Sequence, residues 1–348
     1  METIWFIFVT ILLVGYVLLD GFDLGVGSVY LLVAKTEAER DQVRSSIGPI
    51  WDGNEVWLIA AGGTLFFAFP KAYAAAFSSF YLAFFLILWL LILRGLAIEL
   101  RSQLDNALWH TFWDTVFSFA SAALIFLLGV ALGNILRGIP FLSDGGPTLP
   151  FWTNFLPGAN TGLLDWYTIL MGGLAVVTLV IHGLAYLALK TEGELQARAQ
   201  RFSKRSVWVL IPLVLLGFGL TPWVQAATLE HFLSQPVGFV FVLWALVSLG
   251  CLVYFTWQAT PKKVFMASFS LIAAMLSAVS FGMYPRLLLN LTNPANSLTI
   301  YNSATSAYGL RVGLIWFSVG FVLLLAYVVI MYRAFWGKVP TDHPDLEY

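Results

Sequence analysis

Long apolar runs separated by short polar stretches dominate the pattern of this 348-residue chain. A helix needs about 20 residues to cross about 30 Å of hydrocarbon, and nine of the runs are long enough. They predict an all-α integral membrane protein with nine transmembrane helices. The predicted helices cover residues 4–34, 49–69, 73–100, 115–136, 164–189, 206–226, 232–257, 264–284 and 310–332.

Composition supports a membrane environment and argues against nucleic-acid binding. Apolar residues make up 59% of the chain and charged residues 11%, against about 45–50% and about 25% in soluble domains. The formal net charge is only −1, and no run of Lys and Arg forms a basic stripe. We therefore expect a lipid bilayer, and no nucleic acid, among the partners of the chain.

Lys and Arg residues fall mainly on one side of the predicted bundle. Cytoplasmic loops of membrane proteins carry an excess of these cations. With the N-terminus outside, 14 of the 18 Lys and Arg residues fall on the inner side and four on the outer side. This distribution predicts an external N-terminus and a cytoplasmic C-terminus. The four outer cations are Lys71, Arg137, Arg286 and Arg311.

A weak internal repeat divides the chain into two halves. The first predicted helix is followed by Lys-Thr-Glu-Ala-Glu at 35–39, and the fifth by Lys-Thr-Glu-Gly-Glu at 190–194. This similarity favours two parallel four-helix units with one helix added, although one short loop motif can also recur by chance. The predicted boundaries are 1–136 for the first unit with its acidic cluster, 137–163 for an outer loop, 164–288 for the second unit, 289–309 for an outer loop, and 310–348 for the ninth helix and cytoplasmic tail.

Four acids in the first unit are the main candidates for chemistry. Asp20 and Asp23 lie in the first predicted helix, three residues apart and therefore on one face. Asp52 and Glu55 have the same spacing at the start of the second predicted helix. Because the first helix runs inward and the second outward, all four acids belong near the cytoplasmic surface. A charge inside a bilayer costs about 2.5–3.5 kcal/mol on insertion scales, which makes each buried acid a functional hypothesis.

Two interpretations of these acids remain open. In the first, Asp52 and Glu55 only complement the positive end of a helix dipole. Asp20 fits this interpretation poorly, because apolar residues continue beyond it to Leu32. In the second, the acids form a hydrated pocket between the first three predicted helices, which admits protons or holds a partner group. Countercharge and supporting side chains are then expected from Arg94, Glu99, Arg101, Asn54, Trp51 and Trp57, although close packing around glycines explains the two tryptophans equally well.

The histidines are not placed to form a haem centre within this chain. His110 is predicted in an inner loop, His182 at the inner end of the fifth helix, His231 in an outer loop and His343 in the tail. No two of them can face each other across a haem inside the membrane. We therefore expect this chain to hold no haem and no metal, and His182 to pack as an ordinary polar residue near Lys190.

Four stretches of the chain carry a more specific signal. They are DGFDLGVG (20–27), IGPIWDGNEVWLIAAGGTLFFAFPKAYAAAFS (47–78), RGLAIELRS (94–102) and SLTIYNSATSAYGLRV (297–312). In order and spacing, over essentially the whole chain, they resemble subunit II of the cytochrome bd-type quinol oxidases. WDGNEVW after a helix that bears DGFD is a specific signal and not a generic membrane pattern.

The resemblance implies a subunit of a terminal respiratory oxidase, which oxidises quinol and reduces dioxygen to water. Protons would come from the cytoplasm, so that the reaction builds a gradient by charge separation. Haems b558, b595 and d would be ligated by the partner, subunit I, and not by this chain. The resemblance also implies a bacterial or archaeal cytoplasmic membrane, and some members of the family contain a small single-helix subunit or a bound structural quinone.

By motif match, the resemblance implies a proton path through Asp23 of DGFD and Asp52 of WDGN. Asp20 and Glu55 are weaker candidates, and members of the family differ between Glu and Gln at the position of Glu55. Association with subunit I needs intramembrane faces of small residues. The glycine-containing segments 129–133 and 172–173 are candidates for such faces.

Two other hypotheses fit parts of the sequence. A proton-coupled secondary transporter also combines membrane acids, a repeat and interrupted helices, but here the acids gather near one surface and in one half. A purely structural subunit, with no part in proton transfer, is the second. Co-purification with a haem-bearing protein distinguishes an oxidase subunit from a transporter.

Overall fold

Apolar stretches of this chain form long helices because lipid offers no hydrogen-bond partner, so each helix must pair its own backbone groups. The structure, a computed structural model, describes residues 1–140, 149–158 and 160–339. Twelve α-helices occur in these residues: α1 (Glu2–Val33), α2 (Glu37–Ile47), α3 (Trp51–Ala68), α4 (Pro70–Ser79), α5 (Tyr81–Leu100), α6 (Ala107–Arg137), α7 (Trp166–Lys190), α8 (Gly193–Val224), α9 (Ala226–Ser234), α10 (Phe239–Trp257), α11 (Pro261–Met283) and α12 (Ala307–Ala334).

Eight of the described helices are long and apolar enough to cross a membrane, namely α1, α5, α6, α7, α8, α10, α11 and α12. Helices α3 and α4 together make a ninth candidate, but they are bent by 120°. Pro70 begins α4, and its ring nitrogen cannot donate the hydrogen bond that would continue α3. The all-helical membrane architecture is therefore confirmed, with the second predicted span sharply broken between α3 and α4.

Several predicted boundaries are corrected. The predicted span 73–100 is interrupted at Phe80, because residues before it belong to α4 and α5 begins after it. The predicted inner loop before residue 115 is largely helical, since the side chain of Asn106 caps α6 by accepting from the backbone N–H groups of Leu108 and Trp109. Helix α8 begins well before the predicted position 206, and the predicted span 232–257 is divided between the end of α9 and α10.

Helix α1 packs against α3, α6, α7 and α11. It crosses α7 where Gly25 faces Gly183. A Cβ atom on Gly25 would overlap the carbonyl oxygen of Leu179, and one on Gly183 would overlap the backbone of Gly25 and Val26. Glycine at both positions therefore lets two helices of the same chain approach closely.

Glycines also permit a tight contact between α6 and α7. A Cβ on Gly129 would lie only 2.8 Å from the Cα of Gly172, and one on Gly133 would lie 3.1 Å from the Cα of Thr168. The prediction that segments 129–133 and 172–173 form a face for another protein is therefore wrong for these three glycines, because internal helix packing occupies them. Gly173 has open space beside it.

The two halves of the chain have a similar order of elements. Helices α1, α3, α4, α5 and α6 are followed by α7, α8, α9, α10 and α11, with short helices α4 and α9 in matching places. The loop motifs themselves differ in structure: the Thr36 hydroxyl accepts from the backbone N–H of Glu39 and caps α2, whereas the Thr191 hydroxyl donates to the carbonyl of Leu187. The division into two four-helix units stays a prediction.

Opposite the end where most cations lie, a two-stranded antiparallel sheet pairs β1 (Arg286–Leu288) with β2 (Leu298–Thr299). Arg137, predicted in an outer loop, is the last residue of α6 and is buried against Asp165, the N-cap of α7, with which it forms an ion pair. Since a buried guanidinium without a partner is costly, this pair ties the end of α6 to the start of α7.

The segment after α12 is tied to the end of the bundle where most cations lie, here called the basic end. The Lys190 ammonium donates to the carbonyl oxygens of Phe335 and Gly337 at 2.6 and 3.0 Å. The backbone N–H of Val339 donates to the carbonyl of Lys190, and the Gln42 side chain donates to the carbonyl of Val339. Helix α12 is otherwise largely exposed. Along its middle, Phe317, Phe321, Leu324 and Val328 pack against apolar residues of α1 and α3.

Candidate functional site

Helices α1 and α3 bring three of the four predicted acids together beside Arg94 of α5. Asp20 and Asp23 are buried on one face of α1, at 0% and 2% exposure. The side chain of Glu55, on α3, is 23% exposed. The acids of α1 and α3 lie close together because α1 runs toward the basic end of the bundle and α3 starts there.

Arg94 links two of these acids. Its Nη1 lies 2.8 Å from Oδ1 of Asp20, and its Nη2 donates to Oε1 of Glu55 at 2.7 Å. A planar guanidinium can face two carboxylates in this way, whereas a lysine ammonium presents a single point charge. With both carboxyl groups ionised, these two acids and the guanidinium would carry one net negative charge in a largely buried position.

The two tryptophans that bracket the acids have different surroundings. The guanidinium carbon of Arg94 lies 5.7 Å from the centroid of the Trp51 ring, within the range of a cation–π contact. Trp57 packs on α1, where a Cβ on Gly15 would overlap its ring. Trp51 therefore borders the charged group. Trp57 packs around a glycine, as the alternative interpretation of the two tryptophans predicts.

Asp23 is the one acid of these three that forms no ion pair with Arg94. Its Oδ2 accepts a hydrogen bond from Nδ2 of Asn54 at 2.7 Å. Its Oδ1 is buried and has no hydrogen-bond partner within the described ranges. No Lys or Arg side chain of the described ranges forms an ion pair with it. Asp23 is thus a buried carboxyl whose neighbour is a neutral amide.

Asn54 is itself held from two other directions. Its Nδ2 also lies 3.4 Å from the carbonyl oxygen of Leu19, and its Oδ1 accepts from the Tyr332 hydroxyl at 3.0 Å. Tyr332 lies near the C-terminal end of α12 and is not among the predicted site residues. Nothing in the sequence pattern indicates a contact between positions separated by 278 residues.

Asp52 and Glu99 lie apart from this cluster. Asp52 is in the first turn of α3 and is exposed, and Glu99 is exposed near the end of α5. Neither forms an ion pair with another described residue. Along α3, exposure therefore decreases from Asp52 to Glu55, whose side chain contacts the buried Arg94.

Arg101 was expected to supply countercharge to the acids, and this expectation is wrong. It lies beyond the end of α5, in a 3-10 turn, and faces α2 and α6. Its Nε donates to Asp114 at 2.5 Å and its Nη2 donates to Glu37 at 2.6 Å. Asp114 is buried and also accepts from the Tyr30 hydroxyl at 2.8 Å and from Arg40 at 3.0 Å.

The sequence pattern does not predict the Asp114 cluster, because it places the chain before residue 115 in a loop. The sequence does contain a signal, since Asn at 106 followed by a helix-forming segment is a helix start. A helix that begins there places Asp114 in its second turn, facing the bundle. This acid is fully partnered, in contrast to Asp23.

The described histidines do not fit a haem. His182 is buried within the bundle, and both ring nitrogens are engaged: Nδ1 lies 2.8 Å from the Ser268 hydroxyl and Nε2 lies 3.0 Å from the carbonyl oxygen of Leu18. His110 is in α6 at the basic end and His231 is in α9 at the other end. His182 is therefore a packed polar residue as predicted, with Ser268 and not Lys190 as its partner, and His343 lies outside the described residues.

Comparison with known proteins identifies a well-defined group of relatives. A family model described as "Cytochrome bd terminal oxidase subunit II" matches residues 1–335. The chain is 31% identical to "Cytochrome bd-I ubiquinol oxidase subunit 2" of Escherichia coli K12, over 99% of this chain and 96% of that protein. It is 30% identical to "Cytochrome bd ubiquinol oxidase subunit 2" of Bacillus subtilis, over 94% of this chain and 93% of that protein.

The fold also matches a solved structure. A chain of the bd oxidase from Geobacillus thermodenitrificans superimposes with a TM-score of 0.75, at 17% identity, over 96% of this chain and 98% of that chain. At this level of identity the match concerns the fold alone. It places the helical arrangement described above within a known membrane architecture.

Proposed function

Because the chain belongs to the cytochrome bd terminal oxidase subunit II family, we propose that it is the subunit of a quinol oxidase that conducts protons from the cytoplasm and holds none of the haems. The named relatives are subunits of ubiquinol oxidases, and the complex of this family contains a haem-bearing subunit I. The haems supply the electron transfer to dioxygen. This chain contributes acids, a scaffold and a surface for subunit I.

The environment of Asp23 is the observation that carries the proposal. A buried carboxylate without a cation is strongly unfavourable, so a proton is the positive charge available to this group. The other buried aspartates of the described ranges each have a cation partner. The pairs are Asp20 with Arg94, Asp114 with Arg40 and Arg101, and Asp165 with Arg137. Asp23 is therefore the acid best suited to bind and release a proton.

The proposed route of protons to Asp23 passes through acids whose side chains are progressively less exposed. Asp52 is exposed at the basic end, Glu55 is half-buried about one helical turn deeper, and Glu55 and Asp20 share Arg94. Asp23 lies on the same face of α1 as Asp20. Water would have to bridge these groups, since none of the four acids hydrogen-bonds another within the described ranges. In this proposal Arg94 compensates negative charge on Asp20 and Glu55, and Asp23 carries the proton.

The distribution of cations supports the proposed direction of proton uptake. Residues of the basic end, including Arg40, Arg101, Arg198 and Lys190, lie at the same end as the exposed Asp52. By the positive-inside rule this end faces the cytoplasm. Dioxygen reduction consumes protons, so uptake here separates charge across the membrane. The relatives named above are bacterial, which favours a bacterial inner membrane over an archaeal one.

The described histidines support a haem location outside this chain. Both nitrogens of His182 are already hydrogen-bonded within the bundle, and an axial ligand needs a free ring nitrogen. Subunit I is accordingly the proposed owner of the haem ligands. The family membership also disfavours a secondary transporter, while a purely structural role remains the competing hypothesis.

Replacement of Asp23 by Asn in the assembled oxidase tests the proposal. The amide keeps the size of the side chain and removes the titratable proton. We expect oxygen consumption, or the proton uptake coupled to it in liposomes, to fall strongly while the haem absorption of the purified complex stays that of the wild type. Normal turnover with normal proton uptake would support the purely structural role instead.

A further inference from the structure

We propose that Tyr332 is a positioning residue for Asp23 and acts through Asn54, so that the inner end of α12 is part of the acid site. This inference rests on the proposed function of Asp23. Tyr332 does not contact the carboxyl itself. Its hydroxyl donates to Oδ1 of Asn54 at 3.0 Å, and Nδ2 of Asn54 donates to Oδ2 of Asp23 at 2.7 Å.

The orientation of the Asn54 amide is determined by its neighbours. The Leu19 carbonyl, 3.4 Å from Nδ2, can only accept hydrogen bonds. The nitrogen of the amide must therefore face α1, where Asp23 also lies, and the amide oxygen must face α12. Tyr332 supplies the donor that this oxygen needs, because Asn54 is completely buried and cannot take it from bulk water.

This orientation distinguishes the two oxygens of Asp23. Oδ2 receives an N–H hydrogen and can only accept in that direction. Oδ1 is buried and has no partner within the described ranges. A proton that Asp23 binds is therefore carried on Oδ1, and Asn54 keeps Oδ2 from competing for it. If the Asn54 amide group were flipped, its oxygen would face the Asp23 carboxyl, and the preference of the proton for Oδ1 over Oδ2 would be lost.

Helix α12 reaches this position because Gly53 leaves room for it. A Cβ at Gly53 would lie 2.6 Å from the hydroxyl oxygen of Tyr327 and 2.7 Å from the sulfur of Met331. Met331 is one of two buried residues of α12, the other being Leu310 at its far end. The contact that orients Asn54 thus depends on how a largely exposed helix is seated at its inner end.

Hydrogen bonds in a chain strengthen one another. Donation by the Tyr332 hydroxyl polarises the Asn54 amide and makes its N–H groups better donors to Asp23. Removal of the hydroxyl should weaken the bond to Oδ2 and leave the amide free to change orientation. The effect should appear in the vibrational signature of the Asp23 carboxyl, which a merely structural contact of Tyr332 would not change.

The test uses the assembled oxidase with Tyr332→Phe, which removes only the hydroxyl. Tyr308→Phe is the matched control, since Tyr308 is 79% exposed at the other end of the same helix. Infrared difference spectra are recorded between oxidised and reduced enzyme, and the Asp23 carboxyl band is identified by its loss in Asp23→Asn. We expect Tyr332→Phe to shift this band to higher frequency and to slow proton uptake about two- to tenfold, the change that corresponds to one hydrogen bond.

A double-mutant cycle with Asn54→Leu shows whether Tyr332 acts through Asn54. We expect Tyr332→Phe to have no further effect on proton uptake once Asn54 is replaced. An unchanged band and uptake rate in Tyr332→Phe, or an equal effect with and without Asn54, would overturn the inference while leaving the proposed function of Asp23 intact. Normal proton uptake in Asp23→Asn would instead remove the proposed function on which the inference rests.

Discussion

Nη1 of Arg94 lies 2.8 Å from Oδ1 of Asp20, and both side chains are almost completely buried. The contact joins α5 to α1 at a point where α3 adds Glu55 to the same guanidinium. Three helices therefore meet at one cation. Because each of the three charged groups depends on the others for compensation, the arrangement should be much more sensitive to loss of the cation than to loss of one acid.

Replacement of Arg94 by Gln should prevent normal assembly of the oxidase. It leaves two carboxylates without their cation, and breaking a buried pair from one side costs about 3–5 kcal/mol. We expect a large decrease in the yield of complex and in the temperature at which the purified complex unfolds. Arg94→Lys should have an intermediate effect, because one ammonium cannot reproduce both the ion pair with Asp20 and the hydrogen bond to Glu55.

The double variant Asp20→Asn with Arg94→Gln provides the control for charge. It removes one positive and one negative group together, so part of the lost yield should return. Equal yields for the single and double variants would mean that the effect of Arg94 comes from its size and not from its charge. Yield is measured as the haem-containing complex recovered from equal amounts of membrane.

Replacement of Gly25 by Ala should separate α1 from α7. The added methyl group would overlap the carbonyl oxygen of Leu179, which belongs to the backbone and cannot move aside by a rotamer change. Overpacking of this kind typically costs about 1–3 kcal/mol, occasionally more. We expect a clear decrease in unfolding temperature. Gly173→Ala, where a Cβ has open space, is the matched control and should behave as wild type.

The structure explains why the acids could be found from the sequence and their partners could not. Asp20 and Asp23 stand out because a long apolar helix otherwise excludes charge, and their shared face follows from helical spacing alone. Arg94 and Arg101 appear equivalent in sequence, at the same end of one apolar run. They differ in partners because α5 ends between them, at Leu100, and Arg101 turns toward Asp114.

Contacts between segments that are distant in the chain also could not be predicted from the local sequence pattern. The glycines of α6 and α7 form a small-residue face, and sequence alone does not say whether such a face meets another protein or another helix of the chain. The bond between Tyr332 and Asn54 depends on how α12 is seated against α3. Hydrophobic periodicity predicts that both helices exist, and only the packed structure brings these two side chains together.

Glu39 should make a pH-dependent contribution to stability. Partial burial acts to raise its pKa, but hydrogen bonds from the Lys35 backbone N–H and the Arg198 side chain outweigh burial and hold the pKa below its usual value. The contribution is therefore present above the unfolded-state pKa of about 4.3. It is lost as the pH falls through the lower pKa of the folded state.

The variant Glu39→Gln measures this contribution. At neutral pH we expect it to unfold at a lower temperature than the wild type, and the difference should shrink as the pH is lowered below about 4.3. Glu194→Gln is the control from the matching loop, because Glu194 is 79% exposed and its pair with Arg201 is long, at 3.6 Å. A difference for Glu39→Gln that stays constant down to low pH would contradict the assignment.

Asp114 and Asp23 should respond in opposite ways to the same substitution, because their surroundings differ in charge. Asp114 accepts from Tyr30, Arg40 and Arg101. Asp114→Asn leaves Arg101 with only the more exposed Glu37 and Asp41, and loss of the charge-assisted hydrogen bonds should lower stability by about 1.5–3 kcal/mol. In the Asp114→Asn complexes that do assemble, proton uptake per haem should be close to that of the wild type.

Asp23→Asn should show the reverse. Its neighbour is the neutral Asn54, so an amide in its place leaves no charge uncompensated and the unfolding temperature should change little, while proton uptake is lost. Both variants are measured for unfolding temperature and for proton uptake per haem in the same preparation. The opposite result would be Asp114→Asn complexes that assemble fully but take up no protons, together with Asp23→Asn complexes that take up protons normally. It would mean that Asp114, and not Asp23, has the proposed role in proton uptake.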